Sequence, residues 1–76
     1  MLIKDLLKND FDVNCNYTIY DCTEKDKNWH ESPILFSTVN DGYIPPESIL
    51  NMNVKYVTLD IVQNTPLLII EAENKN

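Results

Sequence analysis

The chain has no arginine and one glycine among its 76 residues, and these two shortages exclude more than any motif suggests. A lone glycine removes the Gly-rich phosphate loops, which need several glycines to let backbone amides approach a phosphate. Without arginine the chain lacks the side chain suited to bidentate contact with phosphate or guanine. Six lysines among twelve acids, formal net −6, cannot form the basic face of a nucleic-acid binder, so direct DNA or RNA contact is not expected. Long apolar runs are missing too. The longest is Leu67-Leu68-Ile69-Ile70, against the ~20 residues that span a bilayer. Lys4 and Asp5 break the apolar opening, so no signal peptide is read there and a cytoplasmic address, without membrane contact, is expected. Only two cysteines occur. Within a strand over 11–22, Cys15 and Cys22 lie about 23 Å apart at ~3.3 Å per residue and on opposite faces, which forbids a disulfide between them.

What remains is one small domain, residues 1–76, that buries about 60% of its unfolded surface. Composition is that of a globular chain, with 43% hydrophobic and 24% charged residues. Leu2, Ile3, Leu6 and Leu7 make one apolar face of a two-turn helix over 2–8, closed by Asn9-Asp10 and too short to persist undocked. From Phe11 the period changes to two: Phe11, Val13, Cys15, Tyr17 and Ile19 alternate with polar residues, as in a half-buried strand. Residues 23–31 read as a loop. Residues 32–39 read as a second strand with Ile34 and Phe36 inward, followed by an Asn40-Asp41-Gly42 turn. Ile44 to Asn51 reads as a short helix with Pro46 at its first position and Ile49 and Leu50 pinned to the core.

The last third predicts a hairpin, 54–62 and 67–73, around a loop Gln63-Asn64-Thr65-Pro66. Counting back from Val62 opposite Leu67 pairs Val57 with Ala72, Leu59 with Ile70 and Ile61 with Leu68 on an apolar face sheltered by the helices. The other face pairs Tyr56 with Glu73, Thr58 with Glu71 and Asp60 with Ile69. The fold expected is α+β, in the order α-β-β-α-β-β, with a mainly antiparallel four-stranded sheet.

Few residues suggest chemistry. His30, beside Trp29 and Glu31, has the neighbours of a general base but no nucleophile or oxyanion donor, so it reads as a solvated loop histidine. Cys15, Cys22 and His30 lack close ligand pairs and a fourth ligand, so no metal is expected; Cys15 reads as a core residue and Cys22 as a strand-end thiol. No cofactor is implied, and a chain this small leaves little room for a pocket of ~300 Å³. Trp29 reads equally as an interface anchor or as a lid on the sheet edge. The outward row Tyr20, Tyr56, Thr58, Asp60, Glu71 and Glu73 mixes aromatic rings with negative charge, and suits a partner with a basic groove. Val62, Leu67 and Ile69 near the hairpin tip would suit a homodimer contact instead.

Three pieces of the chain, Ile3-Lys4-Asp5-Leu6-Leu7, the strand from Asp12-Val13 onward, and Ile44 to Asn51 leading to Val54 and Val57, resemble small proteins of bacterial phages and mobile elements. The resemblance is one of core positions and turns and assigns no functional residue. Ten asparagines, eight isoleucines and lysine without arginine suit an AT-rich coding sequence of such an element. In size and charge the chain is similar to anti-CRISPR proteins and other inhibitors of host defence. The function expected is therefore a non-catalytic binding protein that acts stoichiometrically on a bacterial protein partner, through Tyr20, Trp29, Tyr56, Asp60, Glu71 and Glu73. The alternative is an assembly module that homodimerises through the C-terminal hairpin.

Overall fold

A computed structural model of the protein describes residues 1–7, 15–24 and 28–74. Its elements are α1 (Ile3–Asp5), β1 (Asn16–Asp21), a 3₁₀ turn (Trp29–Glu31), β2 (Ile34–Ser37), α2 (Thr38–Asp41), α3 (Glu47–Leu50), β3 (Asn53–Val62) and β4 (Thr65–Glu73). The strands form one sheet in the order β2-β1-β4-β3. This is a small single-domain α+β fold. Both outer pairings are antiparallel, while the central pair β1 and β4 runs parallel from Asn16 beside Leu67 to Asp21 beside Ala72.

The central position of β1 and β4 explains their composition. A strand with neighbours on both edges and cover on both faces has no polar side to keep. Tyr17, Thr18 and Ile19 are buried in succession, as are Leu68, Ile69 and Ile70. The run of four apolar residues in the sequence is thus the middle of the sheet. Each fully buried isoleucine or leucine contributes roughly 1.5–3 kcal/mol.

One face of the sheet carries the main core. Ile3 and Leu6 from the N-terminal turn and Ile49 from α3 pack on Tyr17, Ile19, Phe36, Leu68, Ile70 and Ala72. So short a helix as α1 needs anchoring, and the backbone supplies it. The Ile3 amide donates to the Met52 carbonyl at 2.9 Å and the Val54 amide to Met1 at 2.8 Å, around a bridge between Leu2 and Asn53. At the far end of β1, the Thr38 hydroxyl accepts the Tyr17 amide at 3.0 Å, and the Tyr17 phenol donates to the Tyr43 carbonyl at 2.6 Å.

Several sequence expectations change. The hairpin loop has two residues, Gln63 and Asn64, with φ of 52° and 64°, and Val62 pairs with Thr65. Two left-handed residues twist a tight turn in the sense of the flanking strands, which lets Thr65 and Pro66 join β4. The register therefore slides by two near the turn: Leu59 faces Leu68, Val57 faces Ile70, Asp60 faces Leu67, Thr58 faces Ile69 and Tyr56 faces Glu71. An even slide keeps every side chain on its face. A bulge between Val54 and Tyr56 takes up Lys55 and shifts the pairing by one, so Val54 meets Ala72 and Asn53 meets Glu73.

Burial along β3 also differs from expectation. Leu59 is 64% exposed although Ile70 is fully buried, and Val57 and Ile61 are exposed as well. The short helices reach Val54 but not the distal half of this edge strand. Ile69, expected at the surface, is buried because β4 is central. Ile34 is exposed, since a register shift in the β1–β2 ladder between Ile19 and Tyr20 turns it away from Phe36's side. The second strand ends at Ser37, where α2 begins, and Gly42 (φ 105°) follows that helix. Pro46 is the residue before α3, and its carbonyl accepts the amides of Ile49 and Leu50. Of the predicted first strand, Phe11, Asp12, Val13 and Asn14 lie outside the described residues, as do the Asn9-Asp10 stop and Asp26.

Candidate functional site

Parallel pairing of β1 and β4 brings the C-terminal ends of both strands to one end of the sheet. There β1 finishes with Tyr20 and Asp21, and β4 with Glu71, Ala72 and Glu73. Tyr20 pairs with Glu71, and Glu71 pairs with Tyr56 on β3, so three expected site residues form one row across the face opposite the helices. With β4 between them, Tyr20 and Tyr56 are about 10 Å apart at the backbone. The 3₁₀ turn adds the fourth. The Trp29 ring meets Tyr20 edge-on, with centroids 5.2 Å apart at 60°, an arrangement that aligns the positive edge of one ring with the negative face of the other. Trp29 is half-buried, packed on Tyr20, and keeps an exposed part.

Cys22 follows directly after β1 at this end of the sheet. Its side chain is fully buried, with Ser32, Glu71 and Lys55 as the neighbours that act on its titration. Burial first, then the neighbouring Glu71 carboxylate, push the thiol's pKa up, with Ser32 and Lys55 opposing. Lys55, the bulge residue, donates from Nζ to the Cys22 carbonyl at 3.3 Å, and the Cys22 amide donates to Ala72 at 2.7 Å. Burial and, secondarily, the negative charge that Cys22 carries when ionised push the Tyr20 phenol's pKa up. Glu71 thus lies between two aromatic residues, Tyr20 on β1 and Tyr56 on β3.

Asp60 and Glu73 stand apart from this row. Asp60 lies nearer the hairpin turn, and its carboxylate accepts the next amide, that of Ile61, at 2.8 Å. Glu73 is half-buried opposite Asn53. His30 is exposed, its ring perpendicular to Trp29 with centroids 5.4 Å apart. Both cysteines are free thiols, and among the described residues no three His, Cys, Asp or Glu side chains are grouped to hold a metal ion. No helix among the described residues is long and apolar enough to cross a membrane.

Sequence reasoning placed Cys22 as a strand-end thiol and missed that it is completely buried. It also missed the exposure of Val57, Leu59 and Ile61. The unbroken apolar run at 67–70 was the available signal, because it marks β4 as central and so leaves β3 at an edge. Compared with known proteins, the chain matches no family model, no curated protein and no solved structure.

Proposed function

We propose that the protein is a non-catalytic binding protein of phage or mobile-element type that acts stoichiometrically on a bacterial protein. The carrying observation is the row Tyr20–Glu71–Tyr56, which sets two rings and a carboxylate on the sheet, with Trp29 of the 3₁₀ turn packed edge-on against Tyr20. Aromatic side chains on a fixed backbone anchor protein interfaces at small entropic cost, and tyrosine and tryptophan dominate interface energetics. Around them Asp21, Glu31, Glu71 and Glu73 give this end of the sheet negative charge, which favours a partner with a basic groove such as a nucleic-acid-processing enzyme.

The test is capture from bacterial lysate on the immobilised protein, read by mass spectrometry, beside Tyr56→Ala and Trp29→Ala proteins and over a rising salt series. A retained protein that is lost from both variants and released progressively by salt supports the reading. Identical retention by wild type and variants, or retention indifferent to salt, refutes it.

A further inference from the structure

The sheet's two edges are unequally guarded. β2 has four residues, follows Pro33 and turns at once into α2, so it offers little backbone to another strand. β3 has ten. At its start, the outer edge is already used: Met1 and Ile3 bond to Val54 and Met52 before the chain turns into α1. Beyond that point no described segment pairs with it, and it runs open from Tyr56 to the Gln63-Asn64 turn.

The direction of its backbone groups follows from the turn. The pair that closes a two-residue hairpin exchanges hydrogen bonds, so Val62, Asp60 and Thr58 point their amides and carbonyls at β4. Those of Ile61, Leu59 and Val57 point outward. Two observations agree. Pro66, which has no amide hydrogen, sits opposite Ile61, where the ladder needs none. The Ile61 amide takes the Asp60 carboxylate as its acceptor rather than β4. The three residues with outward backbone are therefore the three with exposed apolar side chains on the helix-bearing face: Val57 (36%), Leu59 (64%) and Ile61 (69%).

We infer that this edge is a homodimer interface, in which two copies of β3 pair antiparallel about a two-fold axis at Leu59. The open window, Tyr56 to Val62, is centred on that residue. With Leu59 opposite its counterpart, Val57 meets Ile61 of the second copy and Ile61 meets Val57, so all three outward residues of each chain enter hydrogen-bonded pairs, the Ile61 amide exchanging the Asp60 carboxylate for the carbonyl of the second copy's Val57, and their apolar side chains form one stripe. On the other face Thr58 meets Asp60, with no like charges opposed. Sliding the axis to Asp60 sets two carboxylates against each other. Sliding it to Thr58 drives Val62 onto the position held by Met1 at Val54. The strand also suits self-contact electrostatically, since it carries one lysine and one aspartate in a chain of net −6. This inference does not rest on the partner reading above, which uses the opposite face and shares only Tyr56 with this window.

Sedimentation over a wide concentration range gives the test. Wild type is expected to dimerise reversibly, and Leu59→Lys and Leu59→Glu each to weaken association by about thirtyfold or more, the loss typical of a central interface residue. Their melting at low concentration should fall only slightly below wild type, as most of the side chain is exposed in the monomer. Because Leu59 faces its own counterpart, mixing the Lys and Glu proteins restores the dimer. Amide exchange reads the same register: Val57 and Leu59 gain protection as concentration rises, while Thr58 is protected throughout. A wild-type monomer at all concentrations, a dimer indifferent to Leu59→Lys, no reassembly on mixing, or Val57 and Leu59 amides unprotected in the dimer would each overturn the inference.

Discussion

Leu59 and Leu68 face each other across the β3–β4 ladder on the same side of the sheet, and truncating each to alanine should have very different consequences. Leu68 is 6% exposed and packs in the main cluster, so Leu68→Ala removes transfer energy and leaves a cavity. The expected loss is about 3 kcal/mol. Leu59 has only about a third of its surface covered in the monomer, so Leu59→Ala forfeits about 0.5–1 kcal/mol. Total stability for a chain of this length is about 4–11 kcal/mol, so the first variant is severely weakened and the second is not. In melting temperature each kcal/mol corresponds to about 4–8 °C. Urea unfolding followed by the fluorescence of Trp29, the one tryptophan, measures both. At low protein concentration the two costs should differ at least twofold. As concentration rises, the cost of Leu59→Ala should grow and that of Leu68→Ala should stay constant, because only the dimer buries Leu59. Equal costs in dilute solution would refute the argument that the helical layer stops short of the hairpin's distal half.

The turn gives a stabilising variant: Asn64→Gly relieves a left-handed residue (φ 64°) and should raise stability by about 1 kcal/mol in urea unfolding, whereas Asn64→Val should lower it by a similar amount. Thr38→Val keeps the shape of a buried side chain but leaves the Tyr17 amide without its acceptor, and should cost about 1–3 kcal/mol with faster exchange at that amide. Alkaline pH should destabilise the fold. Tyr17, Tyr20 and Cys22 all have raised pKa values, chiefly through burial, so the native state holds protons that the unfolded chain gives up. Their contribution is intact below the ordinary thiol value and is lost as pH rises through the native ones. Unfolding midpoints should be flat below about pH 8 and fall above about pH 9, near the ordinary thiol and phenol values, and Cys22→Ala should remove the first part of the fall.

Much of the architecture was legible because it is written in local periodicity. Ile3 and Leu6, and later Ile49, mark helical turns that dock; Tyr17 and Ile19 mark an inward strand face; the alternation after Val54 and the run from Leu67 mark a hairpin. The turn was misread, since Asn64-Thr65-Pro66 carries every sign of a loop and only the left-handed geometry of Gln63 and Asn64 admits Thr65 and Pro66 to the strand. Of the proposed contact residues, Tyr20, Glu71 and Tyr56 were recognised as sharing a face, and the Trp29–Tyr20 contact was not. A ring in a polar loop carries no information about where that loop returns.

The amino-acid order alone therefore settled which side a strand residue takes where the pleat is regular, since an even slip of register leaves the sides unchanged, and failed at Ile34, where a bulge changes the phase. It also settled the exclusions that follow from having one glycine and no arginine. Strand order was decided only in three dimensions. Placing β4 beside β1 buries Ile69 on the face where alternation called for a surface residue, and gathers the acidic ends of two parallel strands under Trp29. The same placement leaves Val57, Leu59 and Ile61 at an edge, with an apolar pattern that periodicity assigns to a core and that the short helices are too small to cover. Periodicity reports which residues avoid water together; how far the covering layer reaches depends on the size and position of elements distant in the chain.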